Sequence, residues 1–312
     1  MTTTDNSARI AILGIFVADV AFLAPRLPKI GETIAGSGFA MGPGGKGSNQ
    51  AVAAARAGGA VTFISKIGRD TFGDMALAAW AREGVTARAP QSATDPTGAA
   101  FIYVNDQTGE NAVIVYPGAA ATLSPADVDE AAAVIEAARV FVTQLEQPVA
   151  AARRGLEIAR RAGVTTIFNP APAEPVPEAI YGLCDYIVPN ETEAAALTGL
   201  PVDTLDDARR VGDALLARGV GTALITLGGR GALFHNRDRS IHLPALSAGT
   251  VIDTTGAGDA FVGGFAAALA RGEDPVAAAR FGGAVAGIAV TRRGTAPAMP
   301  TRAEVDALLA KA

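Results

Sequence analysis

The feature of this sequence that most limits its fold is an alternation. Short apolar runs at 9–14, 61–65, 140–144, 164–168, 186–189 and 222–227 read as buried strands. Between them lie helix-forming stretches at 48–57, 71–83, 148–162 and 203–218, with a further helix opening at Ser124-Pro125. Gly58-Gly59 stops the first of these. Strands that alternate with helices pair in parallel through crossovers, and the helices then cover both faces of the sheet. The sequence therefore predicts an α/β fold with a doubly wound, mostly parallel sheet flanked by helices. Helices dominate late in the chain, at 257–270 and 275–291, followed by a short one opened by Thr301 with Glu304 at capping-box spacing. No linker or composition break divides the chain, so a single domain over 1–312 is expected.

One region departs from this rhythm. Residues 97–104 and 111–116 are β-branched and aromatic and flank the polar turn 105–110, as in a β-hairpin. A lone hairpin is marginal, and the extended segment 32–41 is a candidate partner, which would give a small sheet outside the main body. The other reading is an edge of the main sheet.

Composition narrows the chemistry. With 312 residues, 49% of them hydrophobic, the chain can bury a large core. The single cysteine, Cys184, excludes an internal disulfide and a four-thiolate zinc site, and His235 and His242 are too few for a histidine-rich metal cluster. A net charge of −5 without a clustered basic face argues against nucleic acid or an anionic membrane as partner. No apolar run reaches about 18 residues, and the polar start Met1 to Asn6 lacks the pattern of a signal peptide, so a cytoplasmic protein is expected. Catalysis has to rest on Asp, Glu, Lys, Asn and backbone amides.

Two glycine-rich turns run straight into helices. In Asp253-Thr-Thr-Gly-Ala-Gly-Asp259 the amides of Gly256, Ala257 and Gly258 would point at an anion, because helix N-termini attract negative charge. Asp259, in the first turn, should stay ionised near neutral pH and could accept a proton from a hydroxyl attacking a phosphoryl group. The plainer reading is a tight turn with a favourable first-turn charge. In Gly42-Pro-Gly-Gly-Lys-Gly-Ser-Asn-Gln50, Gly42, Gly44 and Gly47 match GxGxxG, but almost thirty residues after the first strand, which is late for a dinucleotide site. Asn49 and the amides about Gly44-Gly45 suit sugar hydroxyls; the alternative is a capped turn with a solvated Lys46. Asp19, Glu146, Asn190 and Glu193 follow strands, where open α/β sheets collect ligands, and Glu193 suits an outer-shell contact to Mg²⁺. Thr226-Leu-Gly-Gly-Arg-Gly231 is a strand and mobile turn suited to a nucleotide, or a plain β-turn.

Residues 44–58 and 253–259 together resemble the two signatures of the ribokinase (PfkB-type) sugar kinases, in order and in spacing. Supporting stretches at 28–33, 169–173, 189–193, 225–231 and 289–294 extend the resemblance along nearly the whole chain. It implies a ribokinase-like fold with a small β-sheet lid from about 15–43 and 97–118, often the interface of a homodimer. It implies Asp259 as the base for a sugar's terminal hydroxymethyl and Gly256, Ala257 and Gly258 as the anion hole. Asp19, Gly45, Lys46, Asn49 and Glu146 would bind the sugar. Asn190, Thr226, Gly228, Gly229, Gly231, Gly258 and Gly283 would face ATP, with Glu193 near Mg²⁺. Asp253, Thr255, Ala289, Arg292 and Gly294 would give oxygens to a monovalent cation, usually K⁺.

The sequence departs from that pattern in three places. Val17 stands where ribokinase carries a sugar-binding Asn, which predicts weakened ribose preference and tolerance of 2-deoxyribose or another altered sugar. Gly283 replaces a polar residue near the adenine, and Ala298 a Ser near the cation. The leading expectation is an ATP-dependent sugar kinase. The rivals are a nicotinamide dehydrogenase on Gly42, Gly44 and Gly47, and a regulator that binds sugar or nucleotide without turnover.

Overall fold

A computed structural model describes residues 8–311; the polar start read above lies outside the described residues. Strands are numbered β1 to β15 and helices α1 to α10 in chain order. The alternation builds a nine-stranded sheet in the order β15-β14-β13-β12-β11-β10-β1-β4-β6. Its parallel part holds β1 (Arg9–Leu13), β4 (Ala60–Ile64), β6 (Thr86–Arg88), β10 (Val140–Thr143), β11 (Thr165–Phe168), β12 (Tyr186–Ile187) and β13 (Thr222–Thr226). An antiparallel hairpin, β14 (Ala232–Asn236) and β15 (Ser240–Leu243), extends it past β13. The chain runs outward from β1 to β4 and β6, then returns to set β10 on the other side of β1 and runs outward again. Strand order therefore reverses at β1, and the crevice beyond the carboxyl ends there is where an open α/β sheet takes its ligands.

β1 shows why the central strands are apolar at nearly every position. Ile10 and Ile12 pack into the core on one face, Ala11 and Leu13 into the core on the other. The first core is covered by α1 (Lys46–Arg56), α2 (Thr71–Arg82), α8 (Ala257–Ala270), α9 (Pro275–Ala289) and α10 (Arg302–Leu309). The second lies under α3 (Pro125–Asp129), α4 (Ala132–Glu136), α5 (Val149–Arg161), α6 (Glu191–Thr198) and α7 (Leu205–Ala217). The helix expected from Ser124 is thus two short ones. The sequence reading missed β6, whose three residues are all exposed, together with α6 and the β14–β15 hairpin. Among the described residues no helix is long and apolar enough to cross a membrane.

The hairpin β8 (Thr97–Asn105) and β9 (Asn111–Gly118) is not an edge of the main sheet. It belongs to a separate four-stranded sheet, β3-β2-β8-β9, with β2 at Val17–Ala24 and β3 at Gly38–Gly44. The expected partner 32–41 contributes only its end: β3 starts at Gly38 and pairs with β2, and it is β2, for which the sequence offered no strand, that pairs with β8. Asp19 therefore sits inside a strand. Register puts Val17 and Asp19 on the face shared with Ala100 and Ile102, while Phe22, Phe39, Met41, Phe101, Ile114 and Tyr116 share the opposite face and are exposed. A two-stranded piece, β5 (Ile67–Gly68) with β7 (Gln91–Ser92), completes the strands.

Candidate active site

The site grows from two helix starts at the point where strand order reverses. Helix α1 begins on Gly45, at φ +90°, where a Cβ would lie 2.5 Å from the Ile15 carbonyl oxygen, so a side chain is excluded twice over. Next in the chain, Lys46 N donates to Glu146 Oε2 at 2.7 Å, so a carboxylate from beyond β10 fills the start of α1. Asp19 fills the space beside Gly44, where a Cβ would come within 2.3 Å of its carboxylate oxygens.

Helix α8 begins on Gly256, in the left-handed region at φ +74°. Ala257 N donates to Thr254 O at 3.2 Å, closing the turn, whereas Gly256 N and Gly258 N have no acceptor among the described residues. Of the three amides expected at an anion hole, two are thus without an acceptor among the described residues. Small residues bring α8 onto α1: a Cβ on Gly263 would lie 2.5 Å from Ala53 Cβ and 2.6 Å from Gln50 O. Asp259, one turn before Gly263, is thereby set against α1. Its Oδ2 accepts from Asn49 Nδ2 and its Oδ1 from Gln50 Nε2, both at 3.1 Å.

Burial dominates the electrostatics. It raises the Asp259 pKa, against the charge of Lys46 and the hydrogen bonds from Asn49 and Gln50. Desolvation thus opposes the ionisation that the helix start favours, and it makes the carboxylate a stronger base once ionised. Burial pushes Glu146 up to about 7 and Asp19 up to about 6. It also raises Glu193, against the Asn190 amide. Asn49 Oδ1 is buried without a hydrogen-bond partner, an acceptor aimed at nothing in the chain itself.

Lys46, Asn190, Glu193, Thr226, Gly256, Ala257, Gly258 and Asp259 line one cleft, together with Asn169. Asn190 and Glu193 also cap α6 reciprocally: Asn190 N donates to Glu193 Oε2 at 2.9 Å and Glu193 N to Asn190 Oδ1 at 2.8 Å. Gly228, Gly229, Gly231 and Gly283 are not among the lining residues. Gly231 has a reason in the fold, since its φ is +95° and a Cβ would fall 2.0 Å from Leu243 O in β15. Asp253 ties the two expected cation segments together, accepting from Thr255 N and Gly294 N at 2.9 Å each. Burial acts to raise its pKa, but these hydrogen bonds outweigh it and hold the carboxyl low. Ala289 ends α9, and Arg292 sends its guanidinium to Glu304, leaving only its backbone for a cation.

A second, open groove between α7 and the β14–β15 hairpin is lined by Asp213, His235 and Ser240 and by none of the motif residues. There His235 is held by Ser240 and Asp213, 2.9 Å each, and packs on Gly212, which ties the hairpin to the helix. Sequence reasoning missed Gln50, Gln144 and Asn169 in the main site. All three lie in stretches that it quoted, and the available signal was amide side chains at positions flanked by core residues.

The model of the pfkB family carbohydrate kinases matches residues 7–302. The chain belongs to that family. It is an ATP-dependent sugar kinase of the ribokinase type. The kinase is 36% identical over 294 residues to the deoxyribokinase of Salmonella typhi, covering 94% of this chain and 95% of that protein. It is 39% identical over 302 residues to the ribokinase of Staphylococcus aureus, covering 96% and 98%. Among solved structures, Arabidopsis thaliana ribokinase complexed with ribose and ATP superposes on the kinase with a TM-score of 0.90 at 30% identity, covering 97% of this chain and 99% of that one. The dehydrogenase reading of Gly42, Gly44 and Gly47 falls with this. Gly44 makes room for Asp19, and Gly47 lets α1 approach Gly14, whose Cα would be 2.8 Å from an added Cβ.

Proposed function

We propose that the kinase transfers the γ-phosphoryl of ATP to the terminal hydroxymethyl of ribose or a ribose-like sugar, with Asp259 taking the hydroxyl proton. The observation that carries this reading is Asp259 itself: a buried carboxylate gripped by two amide donors of α1, in one cleft with the open amides of Gly256 and Gly258. Phosphoryl transfer needs positioning and charge stabilisation more than covalent help, and these groups offer both. Asp19, Glu146, Asn49 and the Gly45-Lys46 turn receive the sugar hydroxyls, the unpartnered Asn49 Oδ1 among them. Asn190 and Thr226 flank the nucleotide. Gly228 and Gly229, with open space where a Cβ would be, leave room for it beside the turn closed by Gly231. Gly283, equally open, lies beside the base.

Mg²⁺ bound with ATP would neutralise charge on the phosphates. Glu193, the buried carboxylate that lines the cleft beside Asp259, fits an outer-shell contact, since Mg²⁺ keeps several waters and takes few carboxylates. The carbonyl-bearing segments at Asp253-Thr255 and Ala289-Gly294, pinned together through Asp253, fit a monovalent cation such as K⁺. Activity measured in K⁺, Na⁺ and Tris-only buffers tests that site; equal rates remove the cation from the reading.

The four-stranded sheet is proposed as a lid on the single α/β domain, Asp19 on the face toward the sugar. Its other face, with Phe22, Phe39, Met41, Phe101, Ile114 and Tyr116 exposed, suits a second copy of this chain. Ile114→Lys is expected to turn a dimer into a monomer by light scattering; a wild type that is monomeric at assay and at tenfold higher concentration removes the dimer.

The function is tested by ADP release across a sugar panel with Mg²⁺ and K⁺ present, where ribose or a close analogue should give the highest kcat/KM and no acceptor at all would defeat the proposal. A second reading, preference for 2-deoxyribose, is favoured by Val17. It is 4% exposed, shares the Asp19 face of β2 and offers no hydrogen bond there. A deoxyribokinase stands among the relatives. Kinetics on ribose, 2-deoxyribose, ketohexoses and pentitols for wild type and Val17→Asn decide between the two; an unchanged ribose preference in both proteins would sink the deoxy reading.

A further inference from the structure

We propose that Gln50, itself oriented by Gln144, is a positioning residue that holds Asp259 in the geometry of a base. The inference rests on the reading of Asp259 as that base. Gln50 is wholly buried on α1. Its Nε2 lies 3.1 Å from Asp259 Oδ1 and 3.0 Å from Asn169 Oδ1, so both amide hydrogens have acceptors, and its Oε1 accepts from Gln144 Nε2 at 2.6 Å. Chemistry forces this orientation. A carboxylate only accepts, so Gln50 must turn its nitrogen toward Asp259 and its oxygen toward Gln144. Asn169 is fixed in the same sense, because its Nδ2 donates to Val188 O at 2.8 Å and leaves Oδ1 for Gln50. The residues beyond β10, β11 and β12 are thereby tied through one amide to a single oxygen of Asp259.

The consequence is twofold. The grip on Oδ1 fixes the plane of the carboxylate, leaving the free lone pair of Oδ2 for the sugar hydroxyl. A hydrogen bond to the charged form also offsets part of the cost of burying it. The charged groups that bear on Asp259 are Lys46 at the start of α1, Glu146 beyond β10 and Glu193 on α6. None of them is hydrogen-bonded to Gln50, so a change at Gln50 reports on Asp259.

The experiment compares pH profiles of kcat for the full-length kinase with the best sugar of the panel. Gln50→Met keeps length and an unbranched chain but donates nothing. It should lower kcat about 10- to 100-fold, the worth of one hydrogen bond to a charged group, while the KM values for sugar and ATP change less than about threefold. The acid limb of the kcat profile should move up by about one pH unit. Gln144→Met, which does not touch Asp259, should shift the limb in the same direction by less. An unmoved acid limb with kcat within twofold of wild type, or a rise in KM alone, overturns the inference. Should thermal melting show Gln50→Met unfolded, the Gln144→Met profile decides on the same criterion. Asp259→Asn, run in parallel, separates the two readings. If it is inactive while Gln50→Met is normal, only the positioning role fails; if it remains active, the base itself is wrong and the positioning role falls with it.

Discussion

Helices α1 and α8 both begin on a glycine at positive φ, and both bring an N-terminus to the same crevice, yet the two starts are used in opposite ways. At α1 the chain supplies its own anion: Glu146 accepts from Lys46 N, and Gly45 is wedged against the Ile15 carbonyl. At α8 the amides of Gly256 and Gly258 stay open, and a Cβ at Gly258 would meet nothing within 4 Å. A helix start that the chain satisfies itself serves the fold first, whereas one whose amides have no acceptor within the described residues suits an anion from outside, the role proposed for it. The same glycine-rich pattern thus carries two different jobs, and the neighbours decide which.

The sharpest way to break this contrast is at Asp259, the proposed base between the two helices. Asp259→Asn should cost about 10²- to 10⁴-fold in kcat, the usual range for a general base, with ATP affinity retained by calorimetry. Next, the same small substitution should give opposite phenotypes at the two starts. Gly45→Ala meets both left-handed backbone and a carbonyl, so a loss of about 3 kcal/mol in unfolding free energy is expected from denaturant midpoints. Gly258→Ala should leave the melting temperature in place and lower kcat about 10²-fold by crowding the phosphoryl group. Equal stability losses in both would erase the distinction.

The filled start should also titrate. Burial lifts Glu146 to about 7 and Asp19 to about 6. If their ionised forms accept sugar hydroxyls as proposed, the sugar KM should rise as pH falls from about 7.5 to 5.5, and Glu146→Gln should flatten the upper part of that rise. Stability of the sugar-free protein should run the other way. Both folded pKa values lie above those of the unfolded chain, so ionisation of these groups works against folding above pH 7. That penalty is relieved as pH falls through about 7 and 6, and is gone below about 4. A sugar KM flat between pH 5.5 and 7.5 would show that these carboxylates do not meet the sugar. The smallest effect belongs to Gly283, inside α9 with nothing within 4 Å of an added Cβ: its change to Ala should raise stability by about 0.5–1 kcal/mol.

Much of this was legible in the residues. The central strands announced themselves because a strand buried on both faces must be apolar throughout, and Gly58 marked the end of α1 because its φ is +94°. The two glycine-rich turns were visible as turns into helices. β2 was hidden, since Val17 to Ala24 is apolar but for Asp19, and an aspartate there argues against a strand when the sheet that accommodates it is not in view. Asn190 and Glu193 read from the sequence as ligand groups following a strand, and the structure also makes them the reciprocal cap of α6 while they line the cleft.

By itself, then, the sequence determined the α/β class, the two glycine-rich helix starts and the residue types available for chemistry, because periodicity and turn chemistry are local. What it could not determine is which amides stay open and which carboxylates are desolvated. Those follow from α8 closing on α1 through Gly263 and Ala53, 210 residues apart in the chain, which brings Asn49 and Gln50 to Asp259 and shuts out water. Burial and hydrogen-bond partnership are properties of the packed neighbourhood, and only the tertiary structure assembles it.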